Sequence, residues 1–196
     1  MTSLTASVFT MTRPRALAAA MLSLGLLGAA FAPETRAALD EQSRAWREAT
    51  KELRLYDRLE TRLILRATLH TDDYVRAQNA LLGLLQSIPP WEPPGELPEW
   101  QVVFAAYVPP PSRADDFDVE PGATWTVQLL ADGQPLGPVS LASYRDRSEL
   151  QVLLYPQLNR WSRVYDARFD RSGQPSTLTM VVSGALGQGE LRWEIR

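Results

Sequence analysis

The stretch LRLYDRLETRLILRATL, Leu53–Leu69, decides how the chain folds. Leu53, Leu55, Leu59, Leu63, Leu65, Ala67 and Leu69 fall on one parity. From Glu60 onward the other parity reads Glu60, Arg62, Ile64, Arg66, Thr68 and His70. Successive side chains of an extended chain point to opposite faces, so this period of two predicts a strand with one face in oil and one in water.

The same alternation recurs towards the C-terminus. Ala123, Trp125, Val127, Leu129 and Ala131 alternate with Thr124, Thr126 and Gln128, and Asp132-Gly133 then signals a turn. Val139 and Leu141 lie on a returning strand, which Gly137 and Pro138 place at an edge because proline cannot donate to a central ladder. Further strands are expected at Leu150–Leu154, Trp161–Phe169, Leu178–Val182 and Leu191–Ile195, with turns at Arg171–Pro175 and in the glycine-rich Gly184–Gly189. Trp100 to Val108 is apolar on both parities, as a central strand would be. Between these, Thr71 reads as a helix cap with Asp72 and Asp73 in the first turn, and Tyr74, Gln78, Leu81, Leu82 and Leu85 come after it at helical spacing. This predicts a helix over 71–86, serving as a crossover or as a lid on one end. A proline-rich loop is next, at 88–99.

On the N-terminal side, Ala38 to Lys51 reads as a helix capped by Asp40, with Trp46, Ala49 and Leu53 near one face. The switch from helix to strand is expected between Leu53 and Leu59. The reading is therefore a mainly β chain: a two-sheet antiparallel sandwich (Ig/FnIII-like or C2-like) of about eight strands, with an N-terminal helix and one inserted helix. Residues 38–58 form the helix and lead-in, and 59–196 the sandwich domain.

Residues 1–37 read as a secretory signal peptide. Arg13 and Arg15 precede the uncharged, apolar run Ala16–Phe31, and small residues come next. That run is shorter than the roughly 20 residues a membrane-spanning helix needs, which favours cleavage over anchoring. Both Ala30-Phe31-Ala32 and Thr35-Arg36-Ala37 fit a cleavage site; the cut after Ala37 is preferred, because Pro33 would be the first residue after a cut at Ala32. The expectation is a periplasmic or secreted protein with no membrane span in the mature chain.

The whole chain carries a net charge of −3. The leader holds three arginines against one glutamate, so the rest is near −5. That balance argues against nucleic acid as a partner. Lys51 is the only lysine beside 19 arginines, which reads as the codon bias of a GC-rich bacterial genome. With no cysteine, an exported domain has no disulfide to lean on and must hold its fold by burial.

Few residues suggest chemistry. His70 is the only histidine and reads as a surface or capping residue at a strand end; no G-x-S-x-G elbow accompanies it. No catalytic residue is assigned. Neither phosphate-binding loop signature is present. Asp115, Asp116, Asp118 and Glu120 cluster before the Trp125 strand, and Asp116, Asp118 and Glu120 are a weak candidate set for calcium, which wants several oxygen ligands. Trp91 and Trp100 bracket the proline-rich loop and are candidates for stacking on a sugar or docking a partner, or else for closing the end of the sandwich. Tyr155–Trp161 has a similar mix and reads as a structural turn. Arg62 and Arg66 suit a solvated face, or one paired with Glu41, Glu48 and Glu52. These readings favour a non-enzymatic binding module for an unknown protein, peptide or glycan. A carboxylate-based, calcium-assisted hydrolase and a structural component of the envelope are the alternatives.

Overall fold

The computed structural model describes residues 33–84, 99–109, 117–119, 123–144, 155 and 161–195. Ala38–Arg196 forms one compact unit and Met1–Ala37 another, and every strand belongs to the larger one. The elements are α1 (Pro33–Ala49), β1 (Thr50–Asp57), β2 (Glu60–Leu69), α2 (Asp72–Leu84), β3 (Glu99–Tyr107), β4 (Phe117–Asp118), β5 (Trp125–Ala131), β6 (Gln134–Pro135), β7 (Pro138–Tyr144), β8 (Arg163–Asp170), β9 (Thr177–Gly184) and β10 (Gly187–Glu194). Two sheets face each other. The first runs β1-β2-β3-β8-β7, antiparallel throughout. The second runs β10-β9-β5-β4, with β6 also on β5; its short β4–β5 contact is parallel.

The alternation in Leu53–Leu69 builds not one strand but a hairpin. Asp57 pairs with Glu60, leaving Arg58 and Leu59 as the turn. Arg58 takes φ 56° and Leu59 is 99% exposed, so the leucine that continued the apolar parity in sequence sits at a hairpin tip. On either side of the tip the parity holds. Leu53 pairs with Leu65 and Leu55 with Leu63, and all four face the second sheet. The switch from helix to strand comes earlier than expected, at Thr50. There the side-chain hydroxyls of Thr50 and Thr68 meet at 2.8 Å across the ladder, a β-branched pair that favours strand over another helical turn.

Between the sheets lies an apolar interior centred on aromatics. Phe104 stacks on Tyr165 with ring centroids 5.0 Å apart, and Phe117 stacks on Trp125 at 6.0 Å. Leu63, Leu65, Leu69, Leu129, Leu178 and Met180 are fully buried around them. Aromatic side chains bury large apolar areas and prefer offset or edgewise contact, which suits a cysteine-free fold held by burial. The Asp132-Gly133 turn forms as expected, with φ 47° and 83°, the left-handed pair of a two-residue hairpin. Asp132 then accepts bonds from the Ser176 hydroxyl at 2.8 Å and the Thr177 amide at 2.9 Å, tying this turn to the start of β9. β7 is an edge strand, as Pro138 required.

The helices do not close an end of the sandwich. Ala45 and Ala49 of α1, with Tyr74, Val75, Ala77 and Leu82 of α2, pack on Val103, Ala105 and Val164, which point outward from the first sheet. The protein therefore has three layers over this part: helices, first sheet, second sheet. β3 is apolar on both parities because it is covered on both faces. The expected strand at Leu150–Leu154 lies outside the described residues.

Candidate functional site

The outward face of the first sheet has two halves. One lies under α2 and holds most of the buried polar side chains. His70 continues β2, with its amide bonded to the Gln101 carbonyl at 2.9 Å. Its ring is 2% exposed, and Nε2 sits 2.7 Å from the Tyr155 hydroxyl. Tyr155 is also hydrogen-bonded to Gln78 and Tyr74. Thr71 caps α2, its hydroxyl accepting the Tyr74 amide at 3.2 Å, and this fixes Tyr74 over the histidine with ring centroids 5.3 Å apart. Gln101 donates to Asp166 at 2.9 Å on the neighbouring strands. Burial, with a smaller contribution from the Arg168 charge, pushes the His70 value down to about 3, so the ring is neutral at physiological pH. Burial likewise raises both tyrosines above the ordinary phenol range. His70 is thus corrected from a surface residue to a sealed one. A neutral imidazole without solvent access is poorly placed for proton transfer and well placed to hold α2 on the sheet.

The other half is open. Arg54, Ile64, Arg66, Ala105, Tyr107, Trp161 and Ser162 line a concave groove of about 450 Å³ on strands β1, β2 and β3 and the turn entering β8. Trp161 is 66% exposed. Arg54 and Arg66 both direct Nε–H to Glu52, one to each carboxylate oxygen. This cross-strand triad holds two guanidiniums side by side at the groove wall. The expected acid for Arg66 is therefore found, but on β1; Glu41 pairs with Arg44 instead. Arg62 pairs with Asp57 and Glu60 near the hairpin tip.

A second cleft, about 530 Å³, lies by the N-terminus of α2 and the end of β10, with Lys51, Asp72, Asp73, Arg76, Arg192 and Glu194 among its lining. Its charges are largely matched internally, through Asp73–Arg76 and Arg192–Glu194, while Asp72 binds Arg171. It presents no aromatic ring as exposed as Trp161.

Of the residues singled out in sequence, Trp91, Asp115, Asp116 and Glu120 lie outside the described residues. Asp118 is in β4, exposed, and its carboxylate accepts the Val119 amide at 2.7 Å. Among the described residues no group of three or more His, Asp or Glu side chains is placed to hold a metal ion. Trp100 is corrected: it is 2% exposed in β3, with the Arg171 guanidinium 4.3 Å from its ring centroid, so it offers no face for a ligand to stack on. Sequence reading misses Trp161 as a site because it both closes the Tyr155–Trp161 turn and opens the expected Trp161–Phe169 strand, and each of these readings is structural. Arg163, on the parity of Tyr165, Ala167 and Phe169, is the available signal: a charge there marks the strand as starting later, which leaves Trp161 in the preceding turn.

No family model and no curated protein matches the chain.

Proposed function

We propose that the protein is an exported, non-enzymatic β-sandwich of the bacterial envelope whose groove on the first sheet binds a ligand. The observation that carries this reading is the groove with Trp161 at its wall: a large ring, two-thirds exposed, beside a concavity whose volume lies within the roughly 300–1,000 Å³ of small-ligand sites. Exposing a tryptophan forgoes its burial, which is worth on the order of 2 kcal/mol. The leader read from residues 1–37 supports export, and the sealed state of the single histidine supports binding over acid–base catalysis. The test is retention of the processed protein by isolated cell-envelope material. Wild type is retained and Trp161→Ala is washed free; equal behaviour of the two would overturn the reading.

A further inference from the structure

We infer that the groove takes a carboxylate-bearing glycan, with a sugar ring on Trp161 and its acid group on Arg54 and Arg66; this rests on the binding role proposed above. The lining has no acidic side chain among the described residues. Its polar groups include two guanidiniums and the Tyr107 phenol, a set weighted towards donors and matched to a ligand rich in acceptor oxygens. Ile64, Ala105 and the two aromatic rings supply the apolar part. A pyranose fits that combination, because the C–H groups of one face lie against an aromatic π cloud while its hydroxyls point outward to donors.

The acid group is inferred from the arginines. Both guanidiniums bond the single Glu52 carboxylate through Nε, which sets them side by side at the groove wall. Each spends Nε–H on Glu52, so the Nη groups are the donors directed elsewhere; Arg54 shares one further bond with Tyr56. The two side chains are about half exposed, so they reach solvent while Glu52 holds them still. Donors already fixed in place cost less entropy on binding. Glu52 cancels one of the two positive charges, leaving a net charge of +1 in the triad, which selects an anion without the strong salt dependence of a basic patch.

A peptide suits the site less well. Extended peptides gain affinity by adding a strand to a free sheet edge. The groove opens chiefly over β2 and β3, whose backbone groups are taken on both sides by the ladders β1–β2, β2–β3 and β3–β8. Only side chains are on offer there, and they are an aromatic plane and fixed donors.

The experiment is calorimetric titration of the processed protein with α- and β-linked uronic-acid oligosaccharides, with the same oligosaccharides after reduction of each carboxyl to a hydroxymethyl group, and with an acidic peptide of alternating Glu and Tyr. Uronate binding is expected, weakened at least tenfold by carboxyl reduction. Arg66→Gln should cost at least tenfold for the uronate and little for its reduced form. Trp161→Ala should abolish binding of both. Thermal melts of the two variants confirm that each is folded. Equal affinity for native and reduced sugars, binding of the peptide alone, binding untouched by Trp161→Ala, or no binding by any uronate would each overturn the inference. Where envelope retention still depends on Trp161, such a result removes the ligand class and leaves the binding role standing.

Discussion

β2 and β3 carry the two halves of one face in opposite conditions. Towards one end, Thr68, His70, Gln101 and Val103 are sealed beneath α2 and Tyr155; towards the other, Ile64, Arg66 and Tyr107 border an open groove. Ala105, 3% exposed, touches both regions and marks the boundary. The backbone ladder is continuous across it. What differs is the cover. The sealed half is closed to water, with polar pairs such as His70–Tyr155 and Gln101–Asp166 inside it, so its burial contributes to stability and it is closed to ligands. The open half carries its arginines on a single glutamate and keeps a tryptophan in water, so it contributes little to stability and stays accessible.

Removing the largest side chain of the sealed half should have the greatest effect. Tyr74 is fully buried, and Tyr74→Ala is expected to lower unfolding stability by about 4 kcal/mol in urea titrations, as large-to-small aromatic changes in cores do. Acid should break the same half to a comparable extent. The folded-state value of His70 is depressed to about 3 from 6.5, so the unfolded chain takes up the proton first. Its contribution is complete above about pH 6.5 and is lost as the pH falls towards 3, about 5 kcal/mol in all. A His70→Gln variant, compared by the same urea titrations across that range, should show a correspondingly flatter pH dependence; an unchanged slope would mean that the ring is not sealed. A milder cut is Tyr155→Phe, which keeps the ring and deletes the hydroxyl facing Nε2; a loss of about 1–2 kcal/mol is expected by thermal denaturation. The smallest effect belongs to the open half: Trp161→Ala should change stability by no more than about 0.5 kcal/mol. A large loss there would make Trp161 a structural residue and erase the distinction between the halves.

The sandwich was legible in sequence because parity survives packing. Leu53, Leu55, Leu63 and Leu65 face the interior as their spacing required, and the Asp132-Gly133 turn was readable from residues that tolerate left-handed backbone. The hairpin at Arg58-Leu59 was hidden, since a two-residue turn between strands of the same pattern preserves the alternation it interrupts. The helical layer was legible as helices but not as a layer: the double-sided apolar character of Trp100–Val108 announced cover on both faces without naming what provided it. The sealed cluster had no local signature, because His70 and Tyr155 are 85 residues apart and meet only through the fold. Tyr155 and Trp161 looked alike as aromatics in one polar turn, and tertiary contacts send the first inward and the second out.

Arg171 sets where the helical layer comes loose. Its guanidinium lies over Trp100 and reaches Asp72 through two bonds, at 3.1 and 3.2 Å, clamping the first turn of α2 to the first sheet. Among the described residues the far end has no such clasp: Leu84 is 41% exposed, and no basic residue occupies the last turn. Fraying should therefore begin at the C-terminal turn of α2 and stop short of Tyr74. Amide protons around Leu82–Leu84 would exchange with deuterated solvent well before those around Val75–Gln78, so the helix peels from one end while the sealed face beneath its first turns stays dry.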